Sequence, residues 1–345
     1  MTGMTSAFWT VGAILAATSV FKAWKSRTPR PQYFRDKVVW ITGASSGIGK
    51  ELARQLVLTS VGCKLILSSR DATKLEQVKS ELLELGGNPR DIAIVPLDLA
   101  DLKTLAGAFK EALDCFQGRI PDILVNNAGI SQRSLARMTS FDVYSTLMEV
   151  DFKGPVFLSQ LYTEKICSEK VKGHLVFVSS VAGSIPVPFR SGYCAAKSAL
   201  NAYADVLRLE LELENHPVSV TTISPGGVQT NVSANALNKD GVAFGEADQV
   251  TAEGMSVQEC VAKMLVGISR EADIQVVASR VEVFAYYLFK FLPVRTATSV
   301  IKVSLLSLSL SLSHLGVSRF TDSSLLLLVL HRESTRPTWK RPSLK

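Results

Sequence analysis

Short apolar runs recur along the chain at 37–42, 64–68, 92–97, 123–126, 174–179, 218–224 and 274–278. Runs of this length that carry little polar alternation predict strands buried on both faces. Between them apolar positions return with helical period near 72–85, 102–116, 141–167, 193–213 and 257–269. Strand and helix in alternation predict a parallel sheet covered by helices on both sides. The 345 residues are enough for two domains by number. No Pro/Gly/Ser-rich linker interrupts the alternation, so the expectation is one doubly wound α/β domain, a Rossmann fold, over 31–302.

Both ends depart from this pattern. From Ser6 to Phe21 no residue is charged; Phe8 and Trp9 stand at one end, Trp24 lies beyond the other, and Lys22, Lys25, Arg27 and Arg30 follow. This predicts a membrane anchor over 1–30, at the short edge of a spanning helix, with interfacial aromatics and a basic C-terminal flank. A cleaved signal peptide needs positive charge before its apolar core, which this segment lacks. The positive-inside rule then leaves the domain on the cytosolic face. Beyond Lys302 the chain turns to Leu-Ser alternation at 306–313. The expectation is that 303–345 is a low-complexity tail of translated intron, because a CT repeat encodes Leu-Ser and Val303-Ser304 fits a splice donor. A genuine tail whose apolar run at 325–330 touches a membrane is the alternative.

Charge adds little. The formal net charge of +7 suits an anionic membrane surface or a phosphorylated ligand. No motif supports nucleic-acid binding. Cys63, Cys115, Cys167, Cys194 and Cys260 have no paired spacing and the four histidines are dispersed, so neither a disulfide framework nor a metal site is expected.

The candidate chemistry begins where the first run enters Gly43-Ala44-Ser45-Ser46-Gly47-Ile48-Gly49 and a helical pattern follows. Strand, glycine turn and helix N-terminus form a cradle for a pyrophosphate. Gly43 would permit the turn, Gly47 the approach of backbone to phosphate, and Gly49 close packing of helix on strand. The spacing differs from G-x-G-x-x-G, and a merely tight turn is the plainer reading. Farther on, Tyr193 and Lys197 lie four apart, on one helix face. A cation there favours the phenolate and lowers a pKa that starts at about 10. Such pairs alone usually mark a solvated face.

Taken together, Thr42 to Gly49, then Asn126-Asn127-Ala128-Gly129, then Ser180, Tyr193 and Lys197, then Pro225-Gly226, resemble the ordered motifs of the short-chain dehydrogenases/reductases (SDR) over about residues 36 to 280. Within that family, 185–191 and 230–236 are similar to the SDR family member 7/7B group, with 11β-hydroxysteroid dehydrogenases as more distant relatives. The resemblance implies an oxidoreductase that moves a hydride between a nicotinamide and a carbonyl carbon. Tyr193 would donate the proton, Ser180 would hold the carbonyl oxygen, and Lys197 would tune Tyr193 and hold the nicotinamide ribose. Ser45, Ser46 and Ile48 would join the glycine turn at the cofactor. Asp98 and Leu99 would meet the adenine, Asn126, Ala128 and Gly129 would line the middle, and Pro225, Gly226, Val228 and Thr230 would close over the nicotinamide end. Arg70 follows the second strand where an NAD site usually places an acid, which favours NADP(H) over NAD(H). A solvated loop residue is the plainer reading of Arg70, and a helix N-cap that of Asp98.

Asp151 stands where many family members carry a catalytic-site asparagine. An ionised Asp accepts hydrogen bonds but cannot donate as an amide does, so the expectation is activity with an altered pH dependence. The segment 231–257 is expected to form a substrate lid of mixed polarity. With the anchor, this points to a lipophilic carbonyl such as a lipid ketone, retinal or steroid, at the endoplasmic reticulum or peroxisomal membrane, and to a homodimer formed through the long helices. The alternative from a different class is an NADPH-binding regulator or scaffold whose reductase activity is weak or lost.

Overall fold

The computed structural model describes residues 29–300. The uncharged segment 6–21 and the tail from 303 lie outside the described residues. Seven parallel strands, β1 (Val38–Thr42), β2 (Lys64–Ser68), β3 (Ile92–Ile94), β4 (Ile123–Asn126), β5 (Gly173–Val178), β6 (Val218–Pro225) and β7 (Ile274–Val277), form one sheet in the order β3-β2-β1-β4-β5-β6-β7. Every residue of β1 is buried; all five are in parallel register with β2, and Val39, Trp40 and Ile41 are in parallel register with β4 on the other side. That explains its unbroken apolar sequence: helices cover both of its faces.

On one face pack α1 (Gly47–Thr59), α2 (Ala72–Glu84) and, later in the chain, Val257–Ile268, around Leu52, Leu56, Leu75, Val261 and Met264. The other face carries α3 (Leu102–Asp114) and two long helical stretches around Trp40, Phe109, Leu158, Tyr162 and Phe177. Trp40 is fully buried and its indole N–H donates to Ser68 Oγ at 2.8 Å, so a large ring enters the core without leaving its donor unpaired.

Three elements differ from the sequence pattern. The third strand ends at Ile94, short of Leu97, although the N–H groups of Val95 and Leu97 still donate to Leu67 O and Ser69 O at 3.0 and 2.9 Å; Pro96, on this edge strand, stands where an N–H would point away from β2. The helix expected over 141–167 is divided into α4 (Phe141–Met148), a π turn at Glu149–Lys153, and α5 (Gly154–Glu169). Pro155 cannot donate to the carbonyl four residues back, that of Asp151, and the Gly154 N–H bonds five residues back to Glu149. The remaining helices are α6 (Ser191–Leu213), α7 (Gln249–Ala252), α8 (Val257–Ile268) and α9 (Arg280–Phe291). The last was not expected, although Ser279 and Glu282 form a complete capping box at its start.

At the N-terminal edge of the sheet, Tyr33 Oη and Thr221 Oγ1 each lie 2.8 Å from a ring nitrogen of His174, and Tyr33 also donates to Glu271 at 2.9 Å. Burial pushes the His174 pKa down to about 3, so it serves here as a neutral hydrogen-bonding bridge. Beside it the buried Tyr162 hydroxyl donates to Pro121 O at 2.9 Å and accepts from His174 N at 3.2 Å. Tyr162→Phe strips a buried carbonyl of this donor, and urea unfolding is expected to show a loss of about 1–3 kcal/mol. An unchanged midpoint and slope would refute this assignment.

Candidate functional site

The C-terminal ends of the strands open into a cleft of about 1620 Å³ that runs past the crossover between β1 and β4. In an open parallel sheet the chain diverges to opposite faces at that point, leaving a crevice between the loops. The crevice is fixed by Thr42, whose hydroxyl accepts the N–H groups of Asn127 and Ala128 at 3.0 and 3.1 Å. Asn127 Nδ2 returns a bond to Thr42 O at 2.8 Å. Neither Thr42 nor Asn127 was singled out as a site residue, though both lie within the two motifs they join.

The glycine turn enters this junction at close quarters. Gly43 has φ +67°, and a Cβ there would lie 2.8 Å from Ala128 Cα; one on Gly49 would lie 2.4 Å from Gly43 O. Both approaches exclude a side chain. Ser45, Ser46, Gly47 and Ile48 line the cleft at the start of α1, with Arg70, Asp98 and Leu99 along the β2 and β3 ends. Asp71, next to Arg70, also lines the cleft, and its carboxylate caps α2 through the Lys74 N–H at 3.0 Å. That N–H holds it below the usual carboxylate range. Asp98 Oδ1 accepts the Ala100 N–H at 3.0 Å while still lining the cleft.

Ser180, Tyr193 and Lys197 come together on the opposite wall. Ser180 ends the β5 connection, accepts the Ala182 N–H at 3.1 Å and lies 3.4 Å from Pro225 O. Helix α6 presents Tyr193 and Lys197 one turn apart, with Lys197 Nζ 5.8 Å from the Tyr193 ring centre. Lys197 is 3 % exposed and donates to Val178 O at 3.2 Å. Ala128, Gly129, Pro225, Gly226, Val228 and Thr230 complete the lining.

Asn126, Gly49 and Asp151 do not reach the cleft surface. Asn126 is buried and donates to Ser159 Oγ at 3.0 Å, so it anchors α5 to β4 below the crevice. Asp151 lies behind Lys197, fully buried, with Oδ1 accepting the Ile130 N–H at 2.9 Å and standing 3.7 Å from Lys197 Nζ. Burial pushes its pKa up to about 6, against the pull of Lys197 and the Ile130 N–H. Its other oxygen, Oδ2, has no hydrogen-bond partner among the described residues.

The outer end of the cleft is closed by the segment expected as a lid. Asn231, Val232, Asn235, Leu237 and Ala243 line it, facing Ile185, Val187 and Phe189. Arg190, three residues before Tyr193, ties the two sides together: it pairs with Asp248 and donates to Ser131 Oγ at 2.7 Å. Glu282 and Phe289 of α9 add a wall that the sequence did not suggest. Among the described residues no cluster of His, Cys, Asp or Glu could hold a metal ion.

Residues 37–241 match the family model described as short chain dehydrogenase. The bovine dehydrogenase/reductase SDR family member 7B is 40 % identical over 264 residues, covering 76 % of this chain and 79 % of its own. The human dehydrogenase/reductase SDR family member 7 is 38 % identical over 278 residues, covering 80 % of each. Among solved structures, a short chain dehydrogenase/reductase from Burkholderia phymatum in complex with NAD has a TM-score of 0.64 at 20 % identity, covering 74 % of this chain and 93 % of that one. An alcohol dehydrogenase from Thermococcus sibiricus complexed with 5-hydroxy-NADP has a TM-score of 0.58 at 23 % identity, covering 71 % and 97 %.

Asp151 makes the stability of this site depend on pH in a defined direction. Its folded pKa lies above the unfolded value of about 4, so the native state binds the proton more tightly. Stability from this group is greatest below about pH 4, falls as pH rises to about 6, and is level above that, a change on the order of 1–3 kcal/mol. Asp151→Asn keeps an acceptor for Ile130 and removes the titration. Urea unfolding across this range is expected to show the wild type losing more stability than the variant; parallel curves would refute the assignment.

Proposed function

The chain belongs to the short-chain dehydrogenase/reductase family, in the member 7 group, and on that premise we propose that it is an NADP(H)-dependent reductase of lipophilic carbonyl compounds. At the coarser level it is an oxidoreductase acting on CH–OH and C=O groups, with a single Rossmann-like domain. The observation that carries the finer reading is the convergence of Ser180, Tyr193 and Lys197 on one wall of a cleft whose floor is the glycine turn.

When bound, NADPH supplies the hydride to the carbonyl carbon. The residues do the rest. Tyr193 gives its phenolic proton to the carbonyl oxygen as the C–O double bond becomes single, and Ser180 hydrogen-bonds that oxygen and fixes its place. Lys197, held by Val178 O one helical turn from Tyr193, offers its N–H groups to ribose hydroxyls. The glycine turn and the α1 N-terminus suit a pyrophosphate.

Arg70 supports the phosphate-bearing cofactor. It stands exposed on the cleft lining, and the Asp71 carboxylate beside it, also on the lining, accepts the Lys74 N–H that caps α2. A guanidinium pairs with a ribose 2′-phosphate, and no phosphate is there to meet it in NADH. The apolar outer wall supports a lipophilic substrate, and the uncharged segment 6–21 supports delivery from an endoplasmic reticulum or peroxisomal membrane. Among the described residues no helix is long and apolar enough to cross a membrane. The exposed Val206, Leu209 and Leu213 of α6 support a homodimer through α5 and α6.

The test is consumption of NADPH by the full chain in detergent with a panel of lipid ketones, retinals and steroids. Turnover is expected to prefer NADPH and to fall roughly 10²–10⁴-fold in Tyr193→Phe with NADPH binding retained. Tight NADPH binding with no turnover on any carbonyl would support the regulator instead. Arg70→Ala is expected to weaken NADPH about tenfold and leave NADH unchanged, as loss of one charge-assisted bond requires. Equal loss for both cofactors would remove Arg70 from the phosphate contact.

A further inference from the structure

Helix α9 lies beyond the family-model match, and its first turn reaches into the cleft. Ser279 Oγ accepts the Glu282 N–H at 3.3 Å, and Glu282 Oε2 accepts the Ser279 N–H at 2.9 Å. A capping box of this kind stabilises a helix start and needs nothing more. Here the second carboxylate oxygen, Oε1, also accepts the Gly227 N–H at 3.1 Å, from the loop that leaves β6. The contact is close: a Cβ on Gly226 would lie 2.5 and 2.6 Å from the two carboxylate oxygens. On the other side of that loop, Pro225 O is 3.4 Å from Ser180 Oγ. Glu282 thus stands beside a three-residue loop that also borders the proposed reaction centre, and it lines the same cleft.

These partners are backbone N–H groups, which orient a carboxylate without cancelling its charge. The result is a fixed negative charge at the Pro225–Gly226 end of the cleft. Nicotinamide is neutral when reduced and cationic when oxidised, so a charge placed there acts on the two states unequally.

We propose that the carboxylate charge of Glu282 selects the oxidised, cationic state of the nicotinamide and thereby assists departure of the hydride. This deepens the reductase reading above and rests on it. Helix capping alone holds the loop in place and treats the two cofactor states alike. A charge effect separates them.

The experiment measures dissociation constants of NADP⁺ and NADPH for the full chain in detergent, by calorimetry and by NADPH fluorescence. In Glu282→Gln the NADP⁺ constant is expected to rise roughly five- to tenfold, the effect of one partly screened charge, with NADPH changed by less than about twofold. Ser279→Ala loosens the same helix start and keeps the charge, so it is expected to lower the Tm and leave the ratio of the two constants as in the wild type. Equal weakening of both cofactors in Glu282→Gln, no change in either, or an equal loss of ratio in Ser279→Ala would overturn the proposal. A wild type that binds neither cofactor would overturn the reductase reading, and this inference with it.

Discussion

The cleft exists because backbone meets backbone at the end of β1 with no side chain between. Gly43 sits against the Cα of Ala128, and Gly49 against the carbonyl of Gly43. Thr42 then ties the loop after β4 to the same point through two N–H groups. Every other feature of the site is placed relative to this junction. With β1 fixed, β4 fixes β5 beside it, Ser180 follows the end of β5, and Pro225 ends β6 with Gly226 next to it. A displacement of the glycine turn would move the floor of the cleft relative to Tyr193 and Lys197, which α6 carries. Distance between floor and wall, rather than the identity of either, is what the junction controls.

The pair of Lys197 and Asp151 shows a second constraint, set by burial. Placing a carboxyl where it has no exposure penalises its charged form, and the nearby ammonium offsets only part of that cost at 3.7 Å. One oxygen is held by Ile130 and by Lys197, while the other has no partner among the described residues. An asparagine in this place would keep an acceptor and add a donor, but it would leave the lysine without a counter-charge. The aspartate therefore exchanges local hydrogen-bonding capacity for electrostatic balance, and the π turn that contains it sits at the proline where the helical ladder loses a donor.

Much of this was legible along the chain, for reasons of length and period. Strands buried on both faces read as unbroken apolar runs, and six of the seven expected runs coincide closely with strands; the third stops early at Ile94. The glycine turn was legible because sterics restrict which residues fit it. Residue orientation was less so: Asn126 and Asn127 are adjacent in sequence, yet Asn126 anchors α5 and Asn127 joins the two motifs. The division of the long helix is a matter of one missing N–H that periodicity does not register. Glu282 escaped notice because its capping-box signal is local, whereas its contact with Gly227 spans 55 residues.

Two of the charges that line the cleft lie far apart across the sheet. Arg70 stands at the β2 end, and Glu282 stands at the β6 end, across the breadth of the sheet. A ligand with an anionic group at one terminus and a ring that becomes cationic at the other would meet an opposite charge in each of these two residues. Under the proposed function, Arg70 acts equally on the oxidised and reduced cofactor because the 2′-phosphate is the same in both. Such uniform binding cannot by itself drive chemistry. Glu282 acts on a charge that appears only as hydride leaves, so of the two it alone distinguishes the states along the reaction.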